Sequence, residues 1–115
     1  MPHTDNPSRD RIRELNDAFR KTLDPTLGRT VLTTSVNALP SDARAMAIRK
    51  VATFEAFTEG NDPHGEHDFG SFDLAGDKFF WKIDYYDLKL EFGSGDPADP
   101  AKTTRVLTLM LAAEY

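Results

Sequence analysis

Apolar residues in the first half of the chain recur at helical spacing, and turn residues mark where the helices end. A first helix is predicted from a cap at Asn6 or Ser8 to about Leu23, and a second from a cap at Ser41 to about Thr58. The apolar stripe of the first comprises Ile12, Leu15, Ala18, Phe19 and Leu23, and that of the second comprises Ala43, Met46, Ala47, Val51, Phe54 and Phe57.

Three other segments have the composition or the alternation of strands. Residues 29–36 are rich in β-branched side chains, and residues 69–74 are joined to residues 78–86 through the tight turn Ala75-Gly76-Asp77. Odd-numbered positions from Phe79 to Tyr85 are all large and apolar or aromatic, so this face is expected to meet the core. The pattern predicts one strand and, later, a hairpin.

The alternation changes parity just after this hairpin. Apolar positions are odd-numbered through Tyr85, whereas Leu88, Leu90 and Phe92 are even-numbered, so one regular strand cannot bury both sets on one face. Tyr86-Asp87 is not typical of a hairpin turn. We therefore expect a β-bulge there, followed by a bent continuation of the strand.

The last segment allows two structures. Asp99 as a cap and Pro100 at the first helical position predict a helix over residues 101–113, after a turn-rich loop at 93–100. The apolar run at residues 106–111 could instead be a buried strand, although helix propensity favours the first alternative.

The predicted order of elements is α-β-α-β-β-α. Such an order indicates an α+β domain in which a mostly antiparallel sheet of three to four strands packs with about three helices. Residues 1–7 are polar and are expected to form a disordered lead, so that residues 8–115 make one domain.

Composition restricts the class of protein. Hydrophobic residues make up 39% of the chain, with eight Phe, three Tyr and one Trp, which is enough for a core. No apolar run is long enough to span a membrane. The absence of cysteine and of a secretory signal predicts a cytoplasmic protein.

Charge is unevenly distributed. Residues 1–57 carry nine Lys or Arg and seven Asp or Glu, whereas residues 58–115 carry five and twelve. Because nucleic-acid affinity depends on Lys and Arg that neutralise phosphates, direct nucleic-acid binding is not expected of this acidic half.

The densest polar cluster lies within residues 61–72. Imidazole and carboxylate groups are ligands of zinc, iron or manganese, so Glu66, His67 and Asp68 are candidate metal ligands. In an extended chain, however, His67 points away from the two acids, and no known metal-binding spacing is present. We therefore predict no metal or cofactor. The alternative is a turn capped by Asp62 whose side chains organise the fold.

The same three residues are candidates for acid–base chemistry with Asp84. If the two strands of the hairpin pair, His67 or Asp68 would approach Asp84 or Asp87, and a carboxylate–imidazole pair can act as a general base. No nucleophile or phosphate-binding motif accompanies them, so no catalytic residue is assigned.

Aromatic residues occupy both faces of the segment at 78–86. Its second face is either a contact surface for a protein partner or is covered by a further layer of helices. The candidate interaction residues are Phe80, Lys82 and Tyr86 on this face, and Asp87, Asp96 and Asp99 in the acidic loops that follow.

Four blocks in the second half of the chain, read together, resemble the bacterial family called domain of unknown function 3768. They are Asn61-Asp-Pro-x-Gly-Glu-His-Asp-Phe-Gly70, Trp81-Lys-Ile-Asp-Tyr-Tyr-Asp87, Asp96-Pro-Ala-Asp-Pro100, and Thr104-Arg-Val-Leu-Thr108 with Ala112-Ala-Glu-Tyr115; the likeness extends to Leu15-Asn-Asp-Ala-Phe-Arg20. The resemblance implies an accessory protein of plasmids and other mobile elements, with a role in host interaction or anti-defence. It supplies no catalytic residue.

Three functional hypotheses follow. The first is a small, soluble, non-enzymatic interaction module whose acidic region binds a basic protein, such as one that handles nucleic acids. The second is a metal-assisted or acid–base hydrolase that uses Glu66, His67 and Asp68. The third makes this cluster purely structural and places the function elsewhere.

Overall fold

The computed structural model describes residues 6–115, which form a four-stranded mixed sheet with helices packed on one face. The elements are α1 (Pro7–Thr22), β1 (Arg29–Leu32), α2 (Thr34–Asn37), α3 (Ser41–Thr53), β2 (Phe69–Leu74), β3 (Asp77–Tyr86), β4 (Thr104–Leu111) and a final 3-10 turn, Ala112–Glu114. The α+β class is as predicted. Of the predicted lead, residues 1–5 lie outside the described range, while Asn6 and Pro7 already belong to the start of α1.

The strand order across the sheet is β1-β4-β3-β2. β3 is antiparallel to both β2 and β4, whereas β1 runs parallel to β4, so the sheet is mixed. The hairpin of β2 and β3 agrees with the prediction. No helix among residues 6–115 is long and apolar enough to cross a membrane.

The core lies between the helices and one face of the sheet. Phe79, Trp81 and Ile83 of β3 are almost fully buried, as the odd-numbered alternation predicted. Gly70 stands opposite Trp81 in the register, and the indole occupies the space that a Cβ would need. The helices contribute Phe19, Val36, Ala47 and Val51, and β4 contributes Leu107 and Leu109.

The first long helix begins at one of its two predicted caps, whereas the second begins one residue earlier than predicted and is shorter. The Asn6 side chain accepts a hydrogen bond from the Arg9 backbone N–H at 3.0 Å, so Asn6 is the cap of α1. α3 ends at Thr53 rather than Thr58, and Ser41 is its first residue rather than its cap. The backbone becomes extended at Phe54, which packs edge-on against Trp81 with ring centres 5.7 Å apart.

Two strands are shorter than predicted: the strand at residues 29–36 and the strand that was expected to continue beyond Tyr86. The strand at 29–36 stops at Leu32, because the next residues turn into α2 and bury Val36 in the core. The bent strand beyond Tyr86 does not form. A turn begins at Asp87 instead, and an isolated antiparallel bridge joins Tyr86 to Gly93.

The predicted final helix is also wrong, and the alternative of a strand is correct. β4 occupies the centre of the sheet, where it pairs with β3 along its whole length and with β1 at Val106–Leu109. A segment with strands on both sides satisfies its backbone groups in two ladders, and this tertiary context outweighs the local helix signal of Pro100.

Candidate functional site

The 61–68 segment forms a turn held by Asp62, which is 8% exposed. Its Oδ1 accepts hydrogen bonds from the backbone N–H groups of Glu66 and His67 at 3.2 and 3.1 Å. The Asp62 carbonyl also accepts the Gly65 N–H at 3.1 Å. Asp62 therefore caps the turn in which the candidate ligands lie.

His67 bridges this turn and α1. Its Nδ1 lies 3.0 and 3.1 Å from the two carboxylate oxygens of Asp17, and its Nε2 lies 3.8 Å from Asp62 Oδ2. The backbone at His67 has a positive φ of 56°, which is uncommon for a residue with a side chain. Both ring nitrogens therefore face carboxylates.

Asp17 also binds a fully buried arginine. Arg20 Nε donates to Asp17 Oδ1 at 3.0 Å, and Arg20 Nη1 donates to the Val51 carbonyl at 3.0 Å. The guanidinium carbon lies 5.1 Å from the centre of the Phe57 ring, within cation–π range. Asp17 thus connects α1 to the turn and holds Arg20, which connects α1 to the end of α3.

Glu66 belongs to a second chain of hydrogen bonds. The Tyr85 hydroxyl donates to Glu66 Oε1 at 2.8 Å and accepts from Asn16 Nδ2 at 2.8 Å. Asn16 Oδ1 in turn accepts from Arg105 Nε at 2.7 Å. Burial raises the pKa of the Tyr85 hydroxyl, which therefore remains protonated as a donor. This series of hydrogen bonds joins α1, the turn, β3 and β4.

Asp68 and Asp84 are on opposite sides of the sheet. The Asp68 carbonyl accepts the Ile83 N–H at 2.8 Å, and burial together with the nearby Glu66 raises the pKa of the Asp68 carboxyl. The Asp84 carboxylate pairs with Lys82 Nζ at 2.9 Å on the other face, with both side chains 38% exposed. The predicted approach of His67 or Asp68 to Asp84 or Asp87 is therefore wrong, because the partner of His67 is Asp17.

The three candidate ligands do not converge. Glu66 turns to Tyr85 and His67 turns to Asp17. Within residues 6–115, no group of three or more His, Asp or Glu side chains is placed to hold a metal ion. Glu66 joins the turn to β3, and His67 joins the turn to α1.

The face of the sheet away from the helices carries the first part of the candidate interaction set. Even-numbered residues of β3 lie on this face, and the described helices pack on the other. Phe80 contacts Phe69 and Tyr115, with ring centres 5.3 Å away in each case. Lys82 and Tyr86 follow Phe80 along the strand and are half-buried.

A second exposed apolar surface lies at one end of the molecule. β1 and β4 begin at this end and β3 ends there, so the loops at 23–28 and 87–103 lie together. Among the described residues, seven large hydrophobic side chains are exposed, and four of them lie in these loops. We call this group the apolar end: Leu27 (40% exposed), Leu88 (62%), Leu90 (36%) and Phe92 (72%).

The 87–92 turn is built around Asp87. Asp87 Oδ1 accepts the backbone N–H groups of Lys89 and Glu91 at 3.1 and 3.0 Å, and the Asp87 N–H donates to the Phe92 carbonyl at 2.8 Å. Leu90 has a positive φ of 59° within the turn. These bonds fix the backbone while its apolar side chains remain in solvent.

The other acidic candidates, Asp96 and Asp99, also lie in turns of this end. Asp99 Oδ1 accepts the Ala101 N–H at 2.9 Å. The Asp96 carbonyl accepts the Thr103 hydroxyl at 2.9 Å, and the Asp96 N–H donates to Ser94 Oγ at 3.1 Å. Both are exposed or half-exposed, so their charge reaches the surface.

Several residues that organise the site were missed by sequence reasoning. Asn16 is a polar residue within the apolar stripe of α1, and Arg105 alternates with Leu107 and Leu109 in β4. A polar residue at a core position is the signal that could have identified both, because buried polar groups require partners. Asp17 gave no such signal.

The fold and its polar contacts define a small α+β protein in which the densest polar cluster joins α1 to the sheet and apolar side chains are exposed at one end. The family described as "Protein of unknown function (DUF3768)" matches residues 32–114, and the chain belongs to this family. No curated protein and no solved structure matches the chain.

Proposed function

We propose that this protein is a non-enzymatic interaction module whose contact surface is the apolar end. The observation that carries the proposal is the Asp87 turn, which holds Leu88 and Phe92 in solvent by backbone hydrogen bonds. Exposed apolar clusters rimmed by polar residues are typical of protein-binding sites.

The turn is suited to binding because its backbone is ordered before a partner arrives. Four hydrogen bonds of Asp87 fix the segment, so association would lose little further backbone entropy. Large side chains on such a turn are good anchors, since a few residues at the centre of an interface supply most of its affinity.

Charge around the apolar end favours a basic partner. Five acidic residues lie in these loops, against two basic residues; they are Asp24, Asp87, Glu91, Asp96 and Asp99, against Lys89 and Lys102. Opposite charges around an apolar contact speed association and select the partner. Proteins that handle nucleic acids have such basic surfaces. We extend the proposal to a cytoplasmic accessory or anti-defence role on mobile elements.

The open sheet face would enlarge this surface. Tyr86 ends β3 beside the Asp87 turn and bridges to Gly93, so the face that bears Phe80 and Lys82 runs into the apolar end. Aromatic and long cationic side chains are common interface anchors.

Photocrosslinking in cells of the native host tests the proposal. A photoreactive phenylalanine is placed at position 92, and, as a matched control, at Met46 on α3, which is also exposed (53%). We expect one protein to be crosslinked from position 92 and not from position 46. With that partner purified, Phe92→Ser should weaken binding by roughly tenfold or more, while Met46→Ser leaves it unchanged. Equal crosslinking from both positions, or undiminished binding by Phe92→Ser, would contradict the proposal.

The polar cluster at 62–68 is proposed to be structural. The arrangement that supports this is the position of His67 between Asp17 and Asp62, with its ring covered by Phe57. An acid–base hydrolase would need a ring nitrogen free to reach the substrate.

A further inference from the structure

A cavity of about 270 Å³ opens where β1 and β4 begin, beside the apolar end. Its lining includes apolar, hydroxyl and cationic residues. The residues that matter are the apolar Leu15, Leu27 and Leu88 and the cationic Arg105.

Arg105 is an unusual member of this lining because it is a buried cation without a carboxylate partner. The residue is 3% exposed, and among residues 6–115 no carboxylate oxygen lies within 4.0 Å of its guanidinium. Its bonds run from Nε to Asn16 and from Nη2 to the Pro97 carbonyl, and its Nη1 has no hydrogen bond within that range. Burial lowers the Arg105 pKa; Tyr85 raises it, the charge of Arg11 lowers it, and the Glu66 carboxylate raises it.

The contrast with Arg20 shows what is missing. Arg20 is equally buried, but its Nε donates to the Asp17 carboxylate at 3.0 Å. A buried charge is normally paired, because removing it from water is costly. Where Arg20 has a carboxylate, Arg105 contacts an amide oxygen, a backbone carbonyl and the Tyr85 ring at 5.3 Å. A bound external anion would supply the missing carboxylate partner.

We propose that this cavity binds a carboxylate joined to a small apolar group. Guanidinium groups pair strongly with carboxylates, so the buried guanidinium of Arg105 is the group that would hold the anion. The leucine side chains of the lining would contact the apolar part of the ligand. The volume lies near the lower limit of ligand cavities, which restricts the ligand to a small acid or to the terminal residue of a peptide.

Nuclear magnetic resonance titration of the full chain tests this site. Benzoate is the probe, benzamide its uncharged control, and the Arg105 Nε–H and the Gly28 and Thr104 amides are the reporters. Saturable shifts with benzoate, and none with benzamide, are expected. A second arm compares a short peptide with C-terminal leucine carboxylate with its C-terminal amide, which distinguishes a free acid from a chain terminus as the ligand. No saturable shift in either arm, or equal shifts with the uncharged controls, would overturn the proposal.

Variants of exposed or partly exposed lining residues avoid the loss of folding expected when Arg105 itself is changed. Leu27→Ser and Leu88→Ser should each weaken binding of whichever carboxylate probe is active by about three- to tenfold, because each removes an apolar contact from the lining. Unchanged affinity in both variants would place the ligand elsewhere and overturn the assignment. Phe92→Ser removes the proposed partner anchor without altering the lining, so it should leave this affinity unchanged. Failure of the carboxylate site is thereby separated from failure of the partner surface.

Discussion

The imidazole of His67 lies flat on the ring of Phe57, with ring centres 3.8 Å apart and planes within 2°. This stack closes one side of the imidazole while Asp17 binds its Nδ1. The stack therefore brings together the two ends of the segment between α3 and β2, because Phe57 lies near the start of this segment and His67 near its end.

Replacing His67 by alanine should lower the free energy of unfolding by about 1–3 kcal/mol, because Asp17 and Asp62 lose a partner and Phe57 loses a stacked ring. Urea denaturation monitored by Trp81 fluorescence measures the change. His64→Ala is the control, since His64 is exposed and should have no effect. Equal stability of the wild-type protein and His67→Ala would contradict a structural role.

Asp68→Asn should stabilise the protein at neutral pH. Burial and Glu66 raise the pKa of Asp68 in the folded state, so folding favours its protonated form. That stabilisation is present below the unfolded pKa and is lost as pH rises through the folded pKa. The advantage of Asn over Asp should therefore be largest near pH 7 and shrink toward about pH 4.

Chemical denaturation of wild-type and Asp68→Asn proteins at several pH values measures this difference. Asp84→Asn is a suitable comparison, because Asp84 is paired with Lys82 on the open face and should not gain stability when neutralised. A pH-independent effect of Asp68→Asn would show that the charge of Asp68 is not the cause.

The bond between Tyr85 and Glu66 should be worth about 0.5–1.5 kcal/mol, and more where a partner is left unsatisfied. Glu66→Ala removes the acceptor of this bond, whereas Tyr85→Phe removes a hydroxyl that also accepts from Asn16, so Tyr85→Phe should cost more. A double-mutant cycle measures the coupling between the two residues. Strictly additive effects would be inconsistent with a connected chain of hydrogen bonds.

Gly70→Ala should destabilise the protein by about 1–3 kcal/mol, because a Cβ at this position collides with the Trp81 indole and lies 3.0 Å from Phe54. Thermal unfolding measures the loss. Gly95→Ala is the matched control, since no atom lies within 4 Å of its added Cβ and its melting temperature should not change. Similar effects of both substitutions would refute the packing explanation.

The hairpin could be predicted from sequence because its turn and alternation are local. Asn6 could be named as one of two candidate caps because a cap acts within one turn. The secondary structure of residues 104–111 could not be predicted in this way, because it depends on pairing with two strands that are distant in sequence. The parity change at Tyr86 does mark a break in the strand, but the predicted bulge was the wrong explanation. The apolar residues after Tyr86 leave the sheet and are exposed. Alternation alone cannot distinguish this arrangement from a bent strand that buries a second face.

For the cluster, the residue types at 62–68 identified an organised segment but not its partners. Asp17, fifty positions away from His67, decides that the imidazole is held against α1. Such a pairing is set by how α1 docks on the sheet, and single-sequence patterns contain no information about that docking.

The central place of β4 has a consequence for how the chain is made. β1 pairs only with β4 among the described strands, and α2, α3, β2 and β3 are all synthesised between them. A nascent chain that has not yet reached Thr104 can form the β2–β3 hairpin but leaves the first strand unpaired and one edge of β3 open. Completion of the sheet must therefore wait until β4 has left the ribosome, and a chain stalled before that point is a natural substrate for chaperones.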